Sequence, residues 1–356
     1  MKNRLCEALD LQYPIIQAPM AGVSTPELAA AVSDAGALGS ISVGAVNAEQ
    51  AEAMILKTQS LTAGALNVNV FCHQPVRRDE QLESAWISRF HKLFQQYDAQ
   101  LPDELAEIYA TFHDNNPMLD VLMSTRPAAV SFHFGIPASN VIKALKERGI
   151  LTLATATSVA EAAKIEANGI DFIVAQGIEA GGHRGVFDPQ QDDTMLSTFA
   201  LVQAIKRDSR LPVIAAGGVM NGAGIAAMLT LGAEGVQMGT AFVLCPESSA
   251  NKEYRKALKS EQASRTVLTS AISGRPARCI DNAFCAYSRE FANEIIPAYP
   301  LTYALGKALA SAAAAKGEHG FGAQWAGQAA NLAREMSAGT LIATLVNEMR
   351  DAQSLS

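Results

Sequence analysis

With 356 residues, 49% of them hydrophobic and 18% charged, the chain can form two ordinary domains or one large α/β barrel with additions. Its net charge of −7, with lysine and arginine scattered rather than blocked, argues against a nucleic-acid surface. It has no run of about 18 apolar residues and no uncharged apolar N-terminal stretch, so neither a membrane span nor a signal peptide is expected.

The five cysteines (Cys6, Cys72, Cys245, Cys279 and Cys285) are widely spaced and form no C-x-x-C pair, which fits reduced thiols in a cytoplasmic protein. Short apolar runs recur along the chain. Each is broken by glycine or a polar residue and followed by an alanine-rich helical pattern. The first is Pro14 to Gly22 (PIIQAPMAG), after which Ser24, Thr25, Pro26 and Glu27 open a helix with a capping hydroxyl and an early proline. The second is Gly36 to Ser42, followed by a helix over Ala48–Ser60, and the third is Ala65 to Phe71 (ALNVNVF).

A long polar excursion, His73 to Asp120, separates these from the fourth run, Ala128 to Pro137 (AAVSFHFGIP). Its helix formers predict extra helices over the barrel top, with Tyr109 on one of them. The fifth run is Leu151 to Thr155, followed by a helix over Ser158–Asn168. The sixth begins at Phe172 and continues to Gly185 as FIVAQGIEAGGHRG. The seventh, Pro212 to Gly218 (PVIAAGG), precedes a helix over Gly222–Leu231, and the eighth is Gly235 to Thr240 (GVQMGT).

Eight strands alternating with helices predict a parallel sheet, and eight is the number that closes a TIM (β/α)8 barrel. The first run carries no G-x-G-x-x-G fingerprint, which disfavours an open dinucleotide-binding sheet. The expected organisation is therefore an α/β barrel over residues 1–245 and 316–356, with extra helices at 73–120. A smaller, mainly helical inserted domain on the substrate side occupies 246–315. Apolar residues at helical spacing between Gln324 and Met349 (Leu332, Met336, Leu341, Leu345, Met349) predict a closing helix.

In such a barrel Met20, Asn69, His133, Gln176, His183, Gly217-Gly218 and Gly239-Thr240 converge on one mouth. The glycine pairs ending the seventh and eighth strands offer open backbone N–H groups where these barrels hold phosphate. Asn69, Gln176 and Gln237 are amides with both donors and acceptors, which suits the edge of a flavin ring. Glu179 reads as a cap or ion-pair residue. His133 and His183 stand on different strands without a carboxylate cluster, so no metal site is expected, and there is no G-x-S-x-G elbow. Tyr299, Tyr303 and Lys307 recur at i, i+4 and i+8 on one helix face, with Tyr254 at the start of the inserted segment. Two phenols and an ammonium together suit an anion.

The set QAPMAG, LNVNVF, SFHFG, QGIEAGGHRG, PVIAAGG and QMGT, in this order over roughly residues 12–245, resembles the FMN-dependent nitronate monooxygenases (2-nitropropane dioxygenases), in particular the class with histidines in both SFHFG and AGGHRG. The resemblance continues through the Tyr/Lys helix to WAGQ at Trp325–Gln328. It implies a TIM barrel with a smaller inserted domain. FMN would be held by Asn69, Gln176, Gly181, Gly182, Gly217, Gly218, Gln237, Met238, Gly239 and Thr240, with Pro19, Met20 and Ala21 lining the ring. It implies His183 as catalytic base and Tyr109, His133, Tyr254, Tyr299, Tyr303 and Lys307 as substrate contacts. The implied chemistry is oxidation of an alkyl nitronate, propionate 3-nitronate in particular, by O2. One electron passes to the flavin, giving its semiquinone, and one on to O2, detoxifying nitro compounds. Related flavin barrels instead reduce quinones or enoyl thioesters with NAD(P)H, and they share the barrel and phosphate signals.

Overall fold

The structure is a computed structural model that describes residues 3–113, 115–292 and 294–354. Eight parallel strands form the central sheet: β1 (Ile15–Gln17), β2 (Gly39–Ser42), β3 (Leu66–Phe71), β4 (Ala129–His133), β5 (Leu151–Ala156), β6 (Phe172–Gln176), β7 (Val213–Ala216) and β8 (Gly235–Met238). β1 pairs with β8 through Ile15↔Val236 and Ile16↔Gln237, and each later strand follows its predecessor around to β2. The circle closes at a parallel bridge between Ile16 and Leu38, where Gln17 N donates to Leu38 O (3.0 Å) and Leu38 N to Ile15 O (2.9 Å). Closure leaves no free edge, which is why buried strands this short and apolar hold their register. The chain is a TIM barrel, as its alternating runs predict.

Two apolar layers hold the barrel together. Inside it, Ile16, Leu38, Ala129, Leu153, Phe172, Val174, Ile214 and Ala216 pack on Leu5 and Leu9 of the N-terminal helix Arg4–Leu9. That helix plugs the end of the barrel away from the site. Outside it, the helices bury one face each against the strands. Their starts follow the sequence closely. Thr25 Oγ1 accepts from Leu28 N with Pro26 first in the helix, and Asn47 and Gln50 form a capping box on Ala48–Leu61. Ser158 caps Val159–Ala167.

The connections differ from expectation in three places. The excursion after β3 does contain helices, Glu80–Arg89, His91–Gln96 and Asn116–Thr125, but Tyr109 is on none of them; it lies in an irregular stretch between the last two. Pro102 lies within that stretch and disfavours continuing a helix through it, while Pro117 sits in the first turn of Asn116–Thr125, where proline is tolerated. The segment expected to be mainly helical also contributes two antiparallel strands, Thr266–Thr269 and Ala277–Ile280, and the second pairs with Gly182–His183. The closing helix starts at Ala338, where Thr340 N donates to Ser337 Oγ, and residues before it are irregular apart from a short turn at Ala330–Leu332.

A second core forms away from the barrel. Trp86, Phe90 and Phe94 of the excursion pack on Phe284, Phe291, Leu301, Leu305 and Leu309. The excursion therefore builds one layer with residues that follow it by about two hundred positions. No helix among the described residues is long and apolar enough to cross a membrane.

Candidate active site

A cavity of about 530 Å3 opens at the carboxyl ends of the barrel strands, within the size range of cofactor and substrate sites. It gathers nearly every residue singled out from the sequence: Pro19, Met20 and Ala21 after β1, Asn69 on β3, His133 on β4, Gln176 on β6, Gly181, Gly182 and His183 beyond it, Gly217 and Gly218 after β7, Gln237 and Met238 on β8, and Gly239 and Thr240 just after it. Tyr109, Tyr254, Tyr299, Tyr303 and Lys307 line it from the other side. Each strand delivers its last residue to the same rim because parallel strands in a barrel all end on one face.

The stretch from Gln176 to Gly185 is fastened at almost every residue. Gln176 Oε1 accepts from Gly185 N (2.8 Å) and its Nε2 donates to His183 O (2.9 Å), so this amide braces the loop it begins. The Glu179 carboxylate accepts from Thr198 N and Oγ1 and caps the helix Thr198–Asp208, a structural role rather than a chemical one. The Glu179 carbonyl accepts from Gln328 N. Arg184, 1% exposed, forms a two-pronged pair with Asp193 (2.7 and 3.0 Å) and donates to the carbonyls of Gln176 and Gly177. Gly181 sits against the Ala326–Gly327 backbone so closely that a Cβ there would lie 2.6 Å from Gly327 N. The WAGQ segment is thus packed directly onto the loop.

Gly217 and Gly218 take φ of 119° and 72°, left-handed values that turn the backbone beneath the cavity and that side chains disfavour. Thr240 Oγ1 accepts from Gly327 N (3.0 Å) at the same end. Asn69 donates to Ser131 O and Oγ, and its Oδ1 accepts from Ser42 Oγ. Among the described residues Gln237 makes no side-chain hydrogen bond and presents a free amide.

The two histidines do different jobs. His133 Nε2 faces the His183 carbonyl (3.2 Å), which can only accept, so Nε2 carries the hydrogen and Nδ1 accepts from Thr155 Oγ1 (3.0 Å). His133 thereby anchors the backbone of His183. The His183 ring lies 5.4 Å from that of Tyr299, 6.0 Å from Tyr303 and 5.0 Å from Trp325, with its Nε2 at 2.8 Å from Ser273 Oγ. Burial pushes the His183 ring down to about 3, helped by the nearby His133 and Arg275, and pushes His133 down to about 4. Both are neutral at physiological pH.

The tyrosine hydroxyls are protonated for the same reason: burial raises Tyr109, Tyr299 and Tyr254, and raises Tyr303 to about 12. Tyr254 spends its hydroxyl on the Trp325 carbonyl. Lys307 stands at the exposed mouth, donates to Tyr109 Oη (2.7 Å) and lies over the rings of Tyr109 and Tyr303. Among the described residues it is the one charged side chain in the lining, and no carboxylate lines the cavity.

Sequence reasoning missed two residues that touch this wall from behind. Ser273 is wholly buried under His183, and Arg275 is 4% exposed with its guanidinium 4.4 Å over the Phe134 ring. Arg275 donates to Val186 O, and no carboxylate pairs with it among the described residues. Both lie in the turn Ser270–Pro276, whose Gly-Arg-Pro reads as an ordinary loop. Nothing in its composition marks a wall of the cavity.

His73 is held down to about 4, chiefly by burial, so three rings stay neutral in the fold. Unfolded, they take up protons near pH 6.5. The folded chain binds fewer protons below that value, so stability is full above pH 6.5 and falls as pH drops toward 4. Each ring contributes at most about 1.4 kcal/mol per pH unit. Thermal melts are expected to show a lower Tm at about pH 5 than at about pH 7.5 by several degrees; an unchanged Tm contradicts neutral burial.

The barrel, the strand-end cavity and the cationic mouth define a (β/α)8 protein with a site suited to an anionic ligand. The nitronate monooxygenase family model matches residues 2–348. Nitronate monooxygenases of Paraburkholderia phytofirmans and Pseudomonas aeruginosa are 53% and 51% identical to the chain, over 99% and 98% of it and 96% and 100% of their own lengths. A nitroalkane oxidase from Streptomyces ansochromogenes superimposes with a TM-score of 0.90 at 38% identity, covering 99% of each chain. FabK from Thermotoga maritima reaches 0.76 at 28% identity, covering 100% of this chain and 98% of its own. The chain belongs to the nitronate monooxygenase family.

Proposed function

We propose that the protein oxidises alkyl nitronates with O2, using FMN held at the barrel mouth, and so detoxifies nitro compounds in the cytoplasm. The observation that carries this reading is the charge of the cavity lining: among the described residues, one ammonium, Lys307, with no carboxylate beside it and with protonated phenols of Tyr109, Tyr299 and Tyr303 around it. Such a mouth accepts an anion and repels none.

The other half of the cavity fits FMN. The turned backbone of Gly217–Gly218 and the start of the Thr240–Val243 turn offer N–H groups to a phosphate, without a competing negative charge. The free amide of Gln237 and the apolar Pro19–Ala21 stretch suit the ring edge and face, with Asn69 and Gln176 bracing the adjoining wall. Bound FMN supplies the electron acceptor between nitronate and O2.

The chain's own residues bind and orient. Lys307 pairs with the carboxylate of a substrate such as propionate 3-nitronate, the phenols of Tyr299 and Tyr303 donate toward the nitronate, and the aromatic wall of Phe134, Tyr299 and Trp325 excludes water. His183 faces the substrate as a neutral base. It takes a proton only when the substrate arrives as a neutral nitroalkane. All five cysteines are free thiols, Cys279 and Cys285 among them although their sulfurs lie 3.3 Å apart, which supports a reducing compartment.

The visible spectrum of the purified protein tests the cofactor. Oxidised-flavin bands are expected, and heat should release FMN rather than FAD. A colourless preparation that takes up no FMN overturns the reading.

A further inference from the structure

We propose that Ser273 fixes the tautomer of His183, placing the hydrogen on Nε2 so that the Nδ1 lone pair faces the substrate cavity. The inference rests on the nitronate reading of the site and assigns a positioning residue to it.

The geometry is an accounting of hydrogens. Ser273 Oγ has three polar neighbours: His183 Nε2 at 2.8 Å, Arg275 O at 3.2 Å and Arg275 N at 3.4 Å. The serine is 0% exposed, so no water competes for its single hydrogen. The Arg275 amide can only donate, and it occupies one lone pair of Oγ. The Arg275 carbonyl can only accept, and among the described residues Ser273 is its one donor.

If the hydroxyl pointed at His183, a buried carbonyl would be left without a hydrogen bond, a costly arrangement. The hydroxyl therefore donates to Arg275 O, and its remaining lone pair accepts from His183 Nε2–H. Nδ1 then has no hydrogen. It makes no hydrogen bond among the described residues and is not among the atoms sealed from solvent, so it opens on the cavity that His183 lines.

The pairing also explains why the orienting group is a hydroxyl. A carboxylate in this place would fix the same tautomer but would favour the imidazolium and leave the ring charged near neutral pH. Serine fixes orientation while the ring remains neutral. With a neutral nitroalkane, Nδ1 takes the α-proton: the C–H bond breaks, its electron pair stays on the substrate as nitronate, and the new imidazolium keeps its Nε2–H bond to Ser273.

The test is histidine-selective 15N NMR of the FMN-loaded enzyme, with the His183 signals assigned by their loss in His183→Asn. The expected result is the Nε2–H tautomer, with Nδ1 at the shift of an unprotonated ring nitrogen. Ser273→Ala should lose that signature to a mixture of tautomers, and Ser273→Thr, which keeps the hydroxyl, should restore it. Should Ser273→Ala fail to fold, Ser273→Cys keeps the volume while weakening the acceptor, and the same loss is expected. A hydrogen on Nδ1 in the wild type, or an unchanged tautomer in the foldable alanine or cysteine variant, overturns the proposal. O2 uptake with nitronate, measured on the wild type alone, decides the functional reading separately, since the tautomer is read without turnover.

Discussion

Replacing His183 by asparagine is expected to lower whatever rate the protein shows with neutral nitroalkanes by about 10²–10⁴-fold, the usual worth of a positioned general base, while turnover of preformed nitronate stays within about tenfold. The asymmetry follows from the ring's surroundings. His183 is neutral, its Nε2 is tied to buried Ser273, and its remaining nitrogen has no partner among the described residues and is left to the occupant of the cavity. A nitroalkane needs that nitrogen to remove a proton. A nitronate has already lost it, so only shape and a weak contact are missing in the variant. Asparagine fills part of the imidazole volume, which limits collapse of Tyr299 and Trp325 into the gap. The comparison is kcat/KM on each form of one compound, with nitronate prepared in base and mixed rapidly. Equal losses on both contradict the base assignment and leave His183 as a binding residue only.

Lys307→Met should raise KM for propionate 3-nitronate about tenfold and change kcat little. A hydrogen bond to a charged group is worth about 1.5–3 kcal/mol, and the lower end applies because the ammonium sits at an exposed mouth where salt screens it. Methionine keeps the length and the contact with the Tyr109 and Tyr303 rings while removing the charge. A nitronate with an uncharged alkyl tail should respond much less, and raising the salt concentration should narrow the gap between wild type and variant. A loss equal for charged and uncharged tails places Lys307 in the packing of the mouth instead of in substrate recognition.

The barrel was legible because its strands are buried on both faces. They read as apolar runs ended by glycine, and their helices announce themselves through caps such as Thr25, Asn47 and Ser158. The strand-end residues were legible for the same reason, since a closed barrel brings them to one rim. What side chains do once there was less readable. Gln176 and His133 line the cavity as expected, yet their polar atoms hold the His183 loop, a division of labour that depends on distances no spacing encodes.

The second core was hidden by sequence separation. Trp86 and Phe90 look like the inner face of an ordinary surface helix until Phe284 and Phe291 arrive from about two hundred residues away. Tyr109 was misplaced on a helix because helix formers surround it, whereas the local stretch holds it in an irregular conformation beside Tyr299. Ser273 and Arg275 were invisible for a simpler reason. A serine and an arginine in a glycine–proline turn are the commonest residues of a solvated loop, and only the pairing of Ala277–Ile280 with Gly182–His183 folds that loop under the site.

Oxygen uptake by the FMN-loaded enzyme on propionate 3-nitronate, with no pyridine nucleotide present, tests the central claim most directly. Consumption of O2 that starts on adding nitronate and scales with enzyme is the expected result. No uptake with nitronate, together with rapid bleaching of the flavin by NADH under anaerobic conditions, would contradict it and assign the cavity to a reductase.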